Sequence, residues 1–347
     1  MRWNSIHVRY YDHDKDPLIL HGVRPLFREV AGQVEGLFYT RHWRQGPHLR
    51  LNFRTDHDTF THVVRPAAEK IIGGCLAERP SSLLLDPQQE HSAHQRLAEL
   101  ERESGPLTPW FPDNTLRVAE YDDRTEVLGG PHMADLVADF YADTTDLAFA
   151  MTEAGGGARR RQLAFKLMVA TAHRLSGTDI SQGYFTFRSH AEAFLATFPE
   201  ARGMRPMWDG YYREHRPILL AQLRAVLGGD DVDAALLADW EAALVPYRRR
   251  GARLLEQGAF VVPTVSAEQE SKLAESSPFH RAGYADPVWA EIRDAPEFLL
   301  YRLMLNLTYL HMTRLGLVPV ERFLLCHLLA NTVEAYLETP VREGSGS

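Results

Sequence analysis

The sequence predicts an α+β fold in which strands gather in the N-terminal third and helices fill the remaining two-thirds. Three observations carry this. Residues 3–11 (WNSIHVRYY), 38–53 (FYTRHWRQGPHLRLNF) and 116–123 (LRVAEYDD) alternate apolar and polar side chains with the period of a strand. From 132 onward the apolar residues recur at helical spacing instead, through 232–257 (VDAALLADWEAALVPYRRRGARLLEQ) to 319–338 (PVERFLLCHLLANTVEAYLE). Beyond 132 no strand-period stretch recurs and there is no internal repeat, so strands are concentrated in the N-terminal third and helices dominate the rest.

The elements follow in order. After the first strand, residues 17–32 (PLILHGVRPLFREVAG) read as a helix opened by Pro17, where a missing N–H costs nothing. In the hairpin 38–54, Leu49, Leu51 and Phe53 point one way, and His48, Arg50, Asn52 and Arg54 the other. Before the Gly46–Pro47 turn, Tyr39, Arg41 and Trp43 share a face, and Phe38, Thr40 and His42 share the opposite one. This is the pattern of a half-buried strand pair with a cation-rich second face. It leaves two readings: a surface hairpin solvated on one side, or a cationic wall that holds a peptide backbone or an anionic intermediate. Residues 57–79 and 88–104 read as helices, the second with a polar, exposed face. The helical region is punctuated by loops at Gly155–Gly157 and Gly228–Asp231.

Composition bounds the function. The chain has 347 residues, 45% hydrophobic and 24% charged, enough to bury a core without disulfide staples. We expect a single domain over 1–340 and a flexible tail at 341–347. A net charge of −8 argues against a general nucleic-acid binder. Cys75 and Cys326 both sit in apolar helical stretches, the pattern of buried free thiols in a reducing compartment. The start carries no secretory h-region, and no run approaches 18 uncharged apolar residues. A soluble, cytoplasmic protein with no membrane partner is expected.

Cofactor signatures are missing: the chain has no GxxxxGK[ST] loop, no GxGxxG after a strand, no HExxH, no CxxC and no GxSxG elbow. The HSAH at 91–94 pairs two histidines on a polar helix but offers no third ligand, where a zinc site takes three or four. We therefore expect side-chain chemistry with neither metal nor cofactor.

FYTRHWRQGPHLRLNF, YDDRTEVLGG (121–130) and NLTYLHMTRLG (306–316) together resemble the stand-alone lantibiotic dehydratase C-terminal, elimination-domain-like family of thiopeptide and lanthipeptide biosynthesis, along nearly the whole chain from Trp3 to about Glu338. The resemblance implies an elimination-domain-like fold and, as partner, a ribosomally made precursor peptide with a leader and a dehydrated, azole-containing core. Two activities occur in the family. Eliminases remove glutamate from glutamylated Ser or Thr. Pyridine synthases join two dehydroalanines in a formal aza-[4+2] cycloaddition and then lose water and the leader, closing a macrocycle.

An eliminase must grip a departing carboxylate, a task for paired guanidiniums. In the family that hairpin reads HLRLR; this chain keeps Arg50 but has Asn52 in the second place. The family's ERYGG segment is EVLGG here, with Val127 replacing the arginine. These departures favour the pyridine synthase branch, which looks to carry a serine in an SPFH segment and a tyrosine in a YLH segment. They fall on Ser277 and Tyr309.

Helical spacing adds its own support for Tyr309. Arg302, Asn306, Tyr309 and Thr313 form one polar stripe on an otherwise Leu- and Met-rich helix, which must meet water, a partner or a site. The expected catalytic residues are Tyr309, Ser277 and His280. Trp43, His48, Arg50, Arg302, Asn306, Phe279 and His311 are the expected substrate contacts. His311, the position resembling the eliminase histidine, lies about 200° around the helix from Tyr309, so both cannot face one pocket. The alternatives are a glutamate eliminase, a non-catalytic leader-binding protein and, least favoured, a tRNA-dependent ligase.

Overall fold

A computed structural model describes residues 1–198, 201, 203–261 and 266–338. The expected tail at 341–347 lies outside them. The chain sorts into two compact units, Met1–Gly156 with Thr313–Gly316, and Gly157–Met312 with Leu317–Ser347.

Unit 1 is built on a four-stranded antiparallel sheet of order β2-β3-β1-β4, from β1 (Arg2–Arg9), β2 (Gly36–His42), β3 (His48–Thr55) and β4 (Thr115–Ala119). The register pairs Ile6 with Leu51, Val8 with Leu49 and Tyr39 with Leu51, so these side chains share one face. Against that face pack the helices following β1, α1 (Asp16–Leu18) and α2 (Arg24–Val30), and those following β3, α3 (His57–Thr59) and α4 (Arg65–Glu78). Leu18, Val23, Leu26, Phe27, Val64, Ala68 and Ile72 join the strands in a single apolar core. Both helix pairs are joined by a π turn, at Ile19–Val23 and Phe60–Val64. Each turn ends just before Arg-Pro (Pro25 and Pro66), where the ring cannot donate to the carbonyl four residues back and a wider turn absorbs the mismatch.

The unit continues through α5 (Pro87–Glu101), α6 (Thr125–Leu128), α7 (Pro131–Asp143) and α8 (Thr145–Ala154). Strand β4 ends at Ala119, short of the predicted 123, because the chain leaves the sheet to cross its second face.

Unit 2 is helical: α9 (Gly157–Arg174), α10 (Ile180–Thr197), α11 (Met204–Gly228), α12 (Ala234–Glu256), α13 (Ala267–Ser276), α14 (Pro278–Ala285), α15 (Pro287–Arg293), α16 (Pro296–Arg314) and α17 (Pro319–Leu337). Helix α9 is buried from Leu163 to Ala172 and packs on α10, α11, α12 and α17. It approaches α10 so closely that a Cβ on Gly183 would lie 2.3 Å from the Ala172 carbonyl oxygen. The buried Lys166 donates to Asp231 at 2.6 Å and to Asp233 at 2.8 Å, tying the α11–α12 loop to α9. No helix among the described residues is long and apolar enough to cross a membrane.

Candidate active site

The polar face of the sheet in unit 1 carries His7, Arg9, His42, His48, Arg50 and Arg117, aligned by the pairs His7–Arg50, Arg9–His48, His42–His48 and His7–Arg117. The half-buried hairpin expected from alternation is corrected here. His48 (1% exposed), Arg50 (7%) and Asn52 (3%) are enclosed like Leu49, Leu51 and Phe53 between them. The alternation is real, but the chain folds its own residues over the second face. Arg9 and Arg117 lie 4.9 and 3.8 Å from the centre of the Phe111 ring. Arg50 donates to Asp122 at 3.1 Å, and the Ser5 hydroxyl donates to the Asn52 carbonyl oxygen at 2.8 Å. Trp43 donates its indole N–H to Glu101 at 2.9 Å.

Burial and neighbouring guanidiniums keep the histidines of this face neutral. His7 is pulled down to about 2 by burial, then by Arg50 and Arg9, and His42 to about 4 by burial and Arg50. The Arg44 backbone N–H donates to His42 Nδ1 at 3.1 Å, so Nε2 bears the proton and donates to Glu103 at 3.2 Å. Burial works to raise Glu103, but the His42 hydrogen bond, Arg124 and Arg50 outweigh it and hold the carboxyl at about 2. His94 of the HSAH segment stacks between Trp43 and Trp110, with centroids at 5.0 and 5.2 Å.

Unit 2 assembles the other predicted residues. SPFH is a helix start: Ser277 is the N-cap of α14, its hydroxyl oxygen accepting the His280 backbone N–H, with Pro278 following in the first turn. His280 then lies between two hydroxyls, Nδ1 at 2.8 Å from Ser277 Oγ and Nε2 at 2.9 Å from Ser189 Oγ on α10. Ser277 (2% exposed) and His280 (4%) are buried, and burial lowers His280 to about 4 against the opposing charge of Glu192. The next residue of α10, His190, places Nδ1 2.6 Å from the Tyr309 hydroxyl on α16. That hydroxyl lies 3.4 Å from Cys326 Sγ on α17, and the Arg322 guanidinium lies 4.8 Å from the centre of the ring.

Burial sets the acid–base character of this group. It lowers His190 to about 4, helped by Arg322 and Arg302, raises Tyr309 well above the ordinary phenol, and raises the Cys326 thiol to about 12. At neutral pH the group is therefore a set of uncharged donors and acceptors, suited to polarising a neutral amide.

The remaining predicted contacts divide. Phe279 is half-buried, edge-on to His280 at 5.2 Å. On α16, Arg302 is half-buried, while Asn306 and Thr313 are exposed. His311 is buried against Trp240 at 4.7 Å, on the side where Thr308 meets Thr171 at 3.2 Å. The structure therefore brings Tyr309, Ser277 and His280 to one helix, α10, and leaves His311 in the core of unit 2. Trp43, His48 and Arg50 belong to unit 1.

The lantibiotic biosynthesis dehydratase C-terminal family matches residues 3–333 of this chain. The chain belongs to that family. Among solved structures, this family member is similar to the pyridine synthase TbtD from thiomuracin biosynthesis, at 36% identity and a TM-score of 0.77, over 96% of this chain and 98% of that one. It shares its fold with TsrL, at 21% identity and a TM-score of 0.73, over 97% of this chain and 96% of that one. No curated protein matches it. The elimination-domain-like α+β architecture expected from sequence is the fold found.

In this member of the family, sequence reasoning missed Ser189 and His190. They sit in TFRSHAEAF on α10 without a motif, and the only available signal was a polar pair interrupting an apolar helix face. Cys326 was noted as a buried thiol, but its contact with Tyr309 needs the packing of α17 on α16.

Proposed function

We propose that this chain is a thiopeptide pyridine synthase. It joins two dehydroalanines of a leader-bearing ribosomal peptide by a formal aza-[4+2] cycloaddition, then loses water and the leader peptide to leave an aromatic six-membered ring in a macrocycle. In this reaction one dehydroalanine amide shifts a proton from nitrogen to oxygen, giving a 2-azadiene. Two bonds form to the second alkene, and loss of water and of the leader as its amide completes the ring.

The observation that carries the reading is the hairpin in which an eliminase would grip glutamate. Arg50 is already paired with Asp122, Asn52 accepts from Ser5, and Val127 fills the place of the third cation. Each lost charge-assisted hydrogen bond is worth roughly 1.5–3 kcal/mol, heavy for release of a carboxylate and irrelevant to two neutral alkenes. The 36% identity to a pyridine synthase supports the same branch. The uncharged group around Tyr309, His190, Ser277 and His280 supplies donors of the kind a neutral amide needs, and proton management by positioned groups contributes typically 10²–10⁴-fold.

The test is a mass spectrum of a bis-dehydroalanine precursor after incubation with the protein. A macrocycle with detached leader amide supports the reading. Release of glutamate from a glutamylated precursor instead identifies an eliminase, and tight leader binding with no change of mass identifies a scaffold.

A further inference from the structure

We propose that His190, through Nε2, is the residue that donates to the substrate amide oxygen, with Tyr309 behind it as a positioning residue. The inference rests on the functional reading above and assigns a role within the same site.

It follows from where each polar atom of the group is engaged. Ser277 Oγ caps α14 and bonds His280, and both ring nitrogens of His280 are occupied by serine hydroxyls. The Tyr309 hydroxyl lies between His190 Nδ1 at 2.6 Å and Cys326 Sγ at 3.4 Å. An imidazole nitrogen is a strong acceptor and a thiol sulfur a weak one, so the phenol proton points to Nδ1. Neutral imidazole carries one N–H, and with Nδ1 accepting, that proton is on Nε2. His190 Nε2 makes no hydrogen bond among the described residues. Unlike His48 Nε2 and His327 Nδ1, it is not a sealed, unpartnered atom, and the ring is half-buried. Tyr309, by contrast, spends its proton inside the protein. Its hydroxyl selects the tautomer that leaves His190 Nε2–H outward. The step assigned to His190 is a hydrogen bond to the amide oxygen, so no proton leaves the enzyme and no charge is created.

Two ring-atom mimics separate this from a direct role for Tyr309. Asparagine places its amide near the imidazole Nδ1 position and glutamine near Nε2. With the bis-dehydroalanine peptide, His190→Asn keeps the tyrosine contact but loses the outward donor, and is expected to slow ring formation about 10²-fold or more, as for loss of one preorganised donor. His190→Gln restores an outward N–H and is expected to recover about tenfold of that loss. Tyr309→Phe, which only frees the tautomer, is expected to be milder than His190→Asn. The reverse order, with His190→Asn active and Tyr309→Phe inert, overturns the assignment.

A second readout does not depend on turnover. Long-range ¹H–¹⁵N spectra should show His190 protonated at Nε2 and bare at Nδ1 in the parent protein, and a mixture of tautomers in Tyr309→Phe. A ring protonated at Nδ1 overturns the proposal whatever the rates. If the parent protein forms no ring from the peptide, the functional reading fails, while the tautomer spectra still decide how His190 is held.

Discussion

His190 makes a pH dependence that can be worked out in advance. Its ring meets Tyr309 on α16, whose hydroxyl also touches Cys326 on α17, and the charges of Arg302 on α16, Arg322 on α17 and His280 on α14 act on it. In the folded protein it titrates at about 4, against 6.5 for the free side chain, because burial and the two arginines disfavour the imidazolium. With the folded value depressed, the unfolded chain takes up the proton first. The contribution is therefore fully present above pH 6.5, falls as the pH drops from 6.5 towards 4, and is gone below 4. Between pH 7 and pH 5 this one residue should remove about 2 kcal/mol of stability, at about 1.4 kcal/mol per pH unit within the window. His190→Asn cannot titrate there, and all other groups are common to both proteins. Urea denaturation of the two at pH 7 and pH 5 should therefore show the parent losing about 2 kcal/mol more than the variant. Parallel losses, within about 0.5 kcal/mol, would refute the premise that the ring is held neutral by its surroundings.

Other expectations follow from the same packing. Lys166→Met leaves the buried Asp231 carboxylate without its cation and Asp233 with Arg159 alone; a cost of about 3–5 kcal/mol in chemical denaturation is expected, with function lost only through unfolding. Ser277→Ala removes the α14 cap and one partner of His280, and should cost about 1–2 kcal/mol by the same measurement. Arg314, 1% exposed, donates to the Tyr141 and Thr144 carbonyls at 2.7 and 2.8 Å, at the C-terminal end of α7. The two carbonyls keep one donor each without it, the Thr145 hydroxyl and the Ala148 N–H. Arg314→Met therefore removes charge-assisted hydrogen bonds worth about 1.5–3 kcal/mol each and should lower stability by about 3 kcal/mol, seen as a lower thermal midpoint. A loss under about 1 kcal/mol would show that water replaces the guanidinium there.

The sequence alone determined the order and type of the elements. Alternation in 3–11, 38–53 and 116–123 became β1, the β2–β3 hairpin and β4, and helical spacing beyond 132 became the bundle of unit 2, because both periods are local consequences of backbone geometry. It also marked Tyr309, since a polar stripe on an apolar helix is visible from spacing, whereas Ser277 in SPFH was marked only by the family resemblance. Only tertiary structure decided which faces are closed. Nothing local says that His48, Arg50 and Asn52 will be enclosed, so a face patterned for water became an interior one, with His42 held by Glu103, Arg50 by Asp122 and Asn52 by Ser5. Nor does anything local join Ser189 and His190 to groups 91 and 119 residues further along the chain. Those contacts depend on the angle and depth at which α10 meets α14 and α16, which many side chains set together and no single stretch encodes.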